Sequence, residues 1–256
     1  MKALCMPELT REEWLEIAKI YAKKANFPNC LGAIDGKHIR IRKPKNTGSD
    51  YFNYKDYFSV VLMAVVDANY RFLVVDIGAY GKGSDSLVFQ NSNFGKRLQR
   101  GELDLPPPSN IEGYNGSAFP YVFLADGAFP LCDRIMRPFG GHNLNINQRI
   151  FNYRLSRGRR FVECAFGILA NKWRLFHTPI ALEPDNVNHV LKAACILHNF
   201  VRERDGVNFE DATSYQDFNA VEFPNNTHRP ARTVRDNFAT YFMSPEGELP
   251  WQMTKI

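Results

Sequence analysis

Three carboxylates stand where their charge is expensive. Asp35 interrupts an apolar strand pattern, Asp126 closes a short apolar run, and Glu163 lies beside the apolar stripe of a long helical segment. An acid near a core is costly unless it is paired, protonated or bound to a cation. One such acid reads as a helix cap or a buried ion pair. Three, on two strands and one helix, point instead to convergence on a divalent ion. Mg²⁺ and Mn²⁺ take oxygen ligands, and paired ions of this kind serve phosphodiester chemistry: one acidifies an attacking water, the other stabilises the leaving oxygen.

Basic residues adjoin two of the acids. Lys37, Arg40, Arg42, Lys43 and Lys45 follow Asp35 with no acid among them, while Arg149, Arg154, Arg157, Arg159, Arg160, Lys172 and Arg174 surround Glu163. A single charge run usually solvates a surface. Two runs, each beside a proposed metal ligand, fit a phosphate backbone better. Lys37, Arg40, Arg42, Arg157, Arg159, Arg160, Lys172 and Arg174 are therefore the expected DNA contacts. The string Arg40 to Lys45 also matches a nuclear import pattern, a weaker reading than its phosphate role. Tyr51, Phe52, Tyr54 and Tyr57 are interleaved with lysines; they either stack on bases or cover a sheet edge. His38 reads as an ordinary strand residue facing away from Asp35, and His198 as a core histidine.

The elements that position these groups follow from periodicity. Thr10 to Lys24 is an amphipathic helix, with Thr10 and Glu13 at capping-box spacing. Leu31 to Arg42 reads as a strand. Val60 to Val66 and Phe72 to Ile77, separated by Asp67-Ala-Asn-Tyr70, read as a hairpin. A glycine-rich loop then leads to a helix through about Leu98, capped by Ser84 or Asp85. Tyr121 to Ala125 is a buried strand, and long helices span about Asn147 to Leu175 and the stretch after Pro184. No strand pattern is visible between Asp126 and the first of these. Beyond Arg204, Pro224, Pro230, Pro245 and Pro250 suggest a loosely packed tail that clamps onto the domain.

The local sequences sharpen the acidic reading. Leu31-Gly-Ala-Ile-Asp35-Gly-Lys-His-Ile39, Phe123-Leu-Ala-Asp126-Gly-Ala-Phe-Pro-Leu131 and Arg160-Phe-Val-Glu163-Cys-Ala-Phe-Gly-Ile-Leu169 resemble the acidic blocks of the PIF/Harbinger transposase family. Gly81-Lys-Gly-Ser-Asp85-Ser and Cys195-Ile-Leu-His-Asn-Phe200 are similar to two further motifs of that family, and the resemblance runs from about Pro28 to Arg204.

It implies an α/β, RNase H-like fold with a mixed five-stranded sheet flanked by helices. The implied catalytic triad is Asp35, Asp126 and Glu163, holding Mg²⁺ or Mn²⁺ for DNA cleavage. Asp85 is either a further metal residue or a support, against its plain reading as an N-cap. The corresponding division is a lead-in over 1–27, a catalytic domain over 28–205 and an irregular tail over 206–256. The rival function is a domesticated DNA- or chromatin-binding protein that does not cleave. Family members generally carry a DNA-reading segment ahead of the catalytic region or use a separate DNA-binding protein. The some thirty residues before Asp35 leave room for one helix, so either the chain is truncated or a partner supplies recognition.

Composition agrees. The 256 residues are 45% hydrophobic and carry a net charge of +5, which excludes a disordered chain and permits an anionic partner. The most apolar run, Val60 to Val66, stops at Asp67, far short of a bilayer span, so no membrane partner is expected. Glu8, Arg11, Glu12 and Glu13 break any secretory signal. Five scattered cysteines without a C-x-x-C pair suit a reducing compartment, the nucleus or also the cytoplasm.

Overall fold

The computed structural model describes residues 5–205 and 229–256. Helix α1 (Arg11–Ala25) starts where the capping box places it: Thr10 Oγ1 accepts from Glu13 N, and Glu13 reaches back to Thr10 N at 2.8 Å. Strand β1 (Cys30–Arg40) follows, then the hairpin of β2 (Ser59–Val66) and β3 (Phe72–Tyr80). Helices α2 (Asp85–Asn91) and α3 (Asn93–Arg100) precede the short strands β4 (Val122–Leu124) and β5 (Ile135–Met136). Helices α4 (Ile146–Lys172), α5 (Pro184–Asp205) and α6 (Arg229–Tyr241) follow, with short 3-10 helices at Arg174–His177 and Gln252–Lys255.

The strands pair in the order β3-β2-β1-β4-β5, with β2 and β3 antiparallel and β1, β4 and β5 parallel. This is a mixed five-stranded α/β sheet of the RNase H-like kind. The fifth strand, invisible in the sequence pattern, is only Ile135 and Met136. Two residues cannot display an alternation. Among the described residues, no helix is long and apolar enough to cross a membrane.

The chain forms two compact units, each assembled from separate stretches. Of the described residues, the first unit takes 5–8, 34–103 and 161–205, and the second takes 9–33, 104–160 and 229–256.

In the first unit, all eight residues of β2 are buried, which explains why its sequence is a continuous apolar run rather than an alternation. The turn after it is held by Asp67, whose Oδ1 accepts from the backbones of Asn69 (2.8 Å) and Arg71 (2.9 Å). Helix α5 grips the same turn. His198 Nε2 bonds the Tyr70 carbonyl at 2.8 Å, while Asn199 accepts from Phe72 N (2.8 Å) and donates to Phe72 O (2.7 Å). The Cys195–Phe200 motif thus contributes a clamp on the hairpin. The single helix expected from Ser84 to Leu98 is broken at Ser92, whose Oγ donates to Phe89 O (2.6 Å) and accepts from Gly95 N (2.9 Å). A Cβ on Gly95 would overlap the Phe89 carbonyl, so the break depends on glycine there.

In the second unit, Trp14 meets Phe123 edge-on, and Tyr21 donates to the Gly158 carbonyl at 2.6 Å. A Cβ on Gly158 would overlap Leu124, so glycine lets α4 lie close against β4. Phe27, Phe151, Phe238 and Phe242 are all fully buried together. Phe238 on α6 and Phe242, one residue past its end, correct the expectation of a loose tail: α6 is a regular helix, and both rings fill this core. Pro230 misled because proline reads as a breaker, yet in the first turn of a helix its missing N–H costs nothing. The part of the expected tail over 206–228 lies outside the described residues.

Candidate active site

Asp35 sits midway along β1, where burial gives way to partial exposure from Asp35 to His38. Its Oδ1 accepts from Gly36 N at 2.9 Å. Side chains alternate along a strand, so Asp35 and Lys37 share one face while Gly36 and His38 belong to the other. Lys37 is pushed below the usual lysine range by burial, and the neighbouring Asp35 charge works against that shift. Its Nζ lies 5.7 Å from the centroid of the Phe166 ring on α4. Glu163 is three residues earlier on that helix, on the same side as Phe166. The turn of α4 that carries Glu163 therefore faces the Asp35 side of β1. Glu163 Oε1 is shielded from solvent.

Asp85 approaches β1 from the opposite side. Ser84, not Asp85, caps α2: its Oγ accepts from Leu87 N, and Asp85 occupies the first turn. The plain cap reading of Asp85 is thereby corrected. Its carboxylate fills the recess left by the missing side chain of Gly36. A Cβ there would lie 2.9 Å from Asp85 Cγ and nearer still to Oδ1, an atom shielded from solvent. Alternation puts that recess on the face away from Asp35.

Asp126 belongs to the second unit. It lies two residues past the end of β4, with its Oδ1 accepting from Ala128 N at 2.9 Å in a tight turn. Ala33 of β1 and Leu124 of β4 are partners in the parallel register, and Asp35 and Asp126 each follow by two residues. Among the described residues, no three His, Cys, Asp or Glu side chains stand together as a metal-holding group. The donors themselves suit a hard cation: they are carboxylates, and one Glu163 oxygen is withdrawn from water. A cleft of about 530 Å³ opens elsewhere, along β3 and α2 beside Asp76, Tyr80, Lys82 and Leu87, and holds none of the triad.

Residues 34–199 match the family model of the DDE superfamily endonucleases. The chain belongs to that family. Its curated relatives include an ALP1-like protein of Arabidopsis thaliana, 29% identical over 77% of this chain and 48% of the relative. A second Arabidopsis protein, Antagonist of Like Heterochromatin Protein 1, is 25% identical over 73% of this chain and 47% of its own length. HARBI1 of Rattus norvegicus, which carries the name of a candidate nuclease, is 24% identical over 70% of this chain and 48% of its own. The chain thus spans about half the length of these relatives, and the Harbinger resemblance holds. No solved structure matches it significantly.

The basic residues expected to contact DNA stand in varied settings. Arg40, Arg42, Arg160, Lys172 and Arg174 are exposed, and Lys37 and Arg157 are half-buried. Arg159 is a correction: it is only 5% exposed, which leaves it no surface to offer a phosphate. Arg154, in the same run, is also internal. Its guanidinium bonds Gly247 O and Gln252 Oε1 and stacks 4.3 Å from the Phe242 centroid, and burial lowers it to about 10. Helical periodicity turns every third or fourth residue of α4 inward, so Arg154, Arg157, Arg159 and Arg160 could not all reach solvent. The first unit does join its two basic stretches. Ile180 N donates to Arg40 O (3.0 Å) and Arg42 N to Ile180 O (2.9 Å), which ties the segment after Arg174 to the end of β1.

His38 faces away from Asp35 as alternation requires, with its Nδ1 2.9 Å from Ser59 Oγ. Burial and the nearby Lys55 charge lower its pKa. His198, buried against Tyr70, is a structural residue, as its sequence setting suggests.

Proposed function

We propose that this chain is the catalytic region of a divalent-metal-dependent endonuclease that cleaves phosphodiester bonds in DNA. The reading rests on one arrangement: Asp35 and Lys37 share the face of β1 toward which the Glu163-bearing turn of α4 is directed. Membership of the DDE endonuclease family supports it. Asp35, Asp126 and Glu163 would hold Mg²⁺ or Mn²⁺. Such ions, when bound, acidify an attacking water and stabilise the leaving 3′-oxygen. Lys37 supplies a positive charge on the same face as Asp35, suited to a non-bridging phosphate oxygen. Asp85 acts as a support, wedging the Gly36 recess from the far face. The exposed cations at the end of β1 and after α4 hold the phosphate backbone. DNA is the proposed partner, and the nucleus is the proposed place of action.

A nicking assay on supercoiled duplex DNA with Mg²⁺ or Mn²⁺ tests this. Nicking is expected from the wild type and should vanish in Asp35→Asn, Asp126→Asn and Glu163→Gln proteins. Nicking at the wild-type rate by a protein carrying all three changes would sink the proposal.

A second reading has its own support. One relative is named as an antagonist of a heterochromatin protein. On that reading the chain binds DNA or chromatin without cutting. Metal-independent DNA binding with no nicking under any metal would select it.

A further inference from the structure

The loop between β1 and β2 carries more aromatic and basic residues than its packing uses. Tyr51 is buried, edge-on to Tyr80, and Phe52 packs on Phe58. These rings cover the sheet. Tyr54 does not: it is 78% exposed. An aromatic ring left in water gains almost nothing from folding, so its position calls for another cause.

That position is fixed. Asn53, 3% exposed, closes the loop beneath Tyr54: its N–H donates to Tyr57 O (2.9 Å), and its Oδ1 accepts from the N–H of Lys55 (2.9 Å). Its Nδ2 donates to Ser59 Oγ on β2 at 2.8 Å, and Ser59 N donates to Tyr51 O at 2.7 Å. Phe52 and Phe58 form an antiparallel bridge at the base, and Asp56 takes the left-handed conformation that completes the turn. The tip is thus held on a hydrogen-bonded pedestal rooted in the sheet.

Cations ring the pedestal. Lys55 Nζ lies 5.3 Å from the Tyr54 centroid, Arg40 5.4 Å from that of Tyr57, and Lys43 5.5 Å from that of Phe58. His38 meets Tyr54 edge-on at 5.5 Å. From residue 37 to residue 58 there are six lysines and arginines against Asp50 and Asp56. An exposed ring on a rigid base, set among cations, has the two parts needed to hold an unpaired nucleotide: a π-surface for the base and charge for the flanking phosphates. A paired base inside a duplex has no free face to give it.

We infer that Tyr54 is a stacking platform for an unpaired DNA strand, with Arg40, Lys43 and Lys55 holding its phosphates. This inference rests on the reading that the chain acts on DNA, but not on cleavage. Because the loop is already ordered, little conformational freedom is lost when a base docks.

The test is binding of the full chain in EDTA to a short oligothymidylate and to a blunt duplex of equal length. Tyr54→Ala should weaken oligothymidylate binding about tenfold, the effect of losing one stacked base, while duplex binding stays within about twofold. Tyr54→Phe, which keeps the ring, should bind as the wild type does. An unchanged oligothymidylate affinity in Tyr54→Ala, an equal loss on both DNAs, or a Tyr54→Phe protein as weak as Tyr54→Ala would overturn the inference. Tighter, Tyr54-dependent binding of the matching RNA would overturn the assignment to DNA. Tyr54-dependent binding by a protein that never nicks leaves the platform standing and removes only the nuclease reading.

Discussion

The carboxylate of Asp85 occupies the space that a side chain at Gly36 would need. This pairing joins the glycine-rich motif to the strand that carries Asp35, and it does so from the face away from Asp35. It explains why an acid and a glycine far apart in the chain belong to one structural feature.

Gly36→Ala should therefore destabilise the protein by about 1–3 kcal/mol, the usual range for overpacking a filled site. Asp85→Ala vacates that space, so the double variant should cost less than the sum of the two single changes, with a coupling of about 1 kcal/mol or more. Urea unfolding of the four proteins measures it. Strictly additive costs would show that something other than Asp85 fills the recess.

His198 makes stability depend on pH. Burial, with a smaller contribution from the Arg202 charge, holds it near 4, against an ordinary value of about 6.5 in the unfolded chain. Between those values the unfolded state binds the extra proton. Stability is then greatest above about pH 6.5, falls as pH drops toward 4, and loses nothing more to this group below that. The loss amounts to at most about 3 kcal/mol. His198→Gln has no titrating ring and should show a shallower decline than the wild type from pH 7 to 4.5. Parallel declines in the two proteins would remove His198 as the cause.

Salt should report the exposed cations. Arg40→Ala and Arg42→Ala should each reduce the slope of log affinity against log salt for duplex DNA by roughly 1, weakening all sequences alike. Arg159→Ala, which changes a buried residue, should leave the slope alone. A slope altered by Arg159→Ala and indifferent to Arg40→Ala would reverse the assignment of the basic surface.

Local signals explain which elements were legible beforehand. Thr10 and Glu13 announce α1 because a capping box is closed within one turn. The β2–β3 hairpin declares itself through two β-rich runs around Asp67. The break at Ser92 was hidden, because it depends on how closely Gly95 approaches Phe89. Helix α6 was hidden by its own Pro230, whose harmlessness follows only from its place in the first turn.

For the candidate site, the sequence by itself determined the acids, their order and the strands or helices that carry them, since periodicity and capping are read from near neighbours. Only the tertiary structure decided which faces those residues share. It put the Glu163 turn toward the side of Asp35 and Lys37, sent Asp85 to the far side through Gly36, buried Arg159, and left Tyr54 standing in solvent. The physical reason is the same in each case. Burial and facing are set by contacts between segments remote in sequence, and these appear only when the chain is closed on itself.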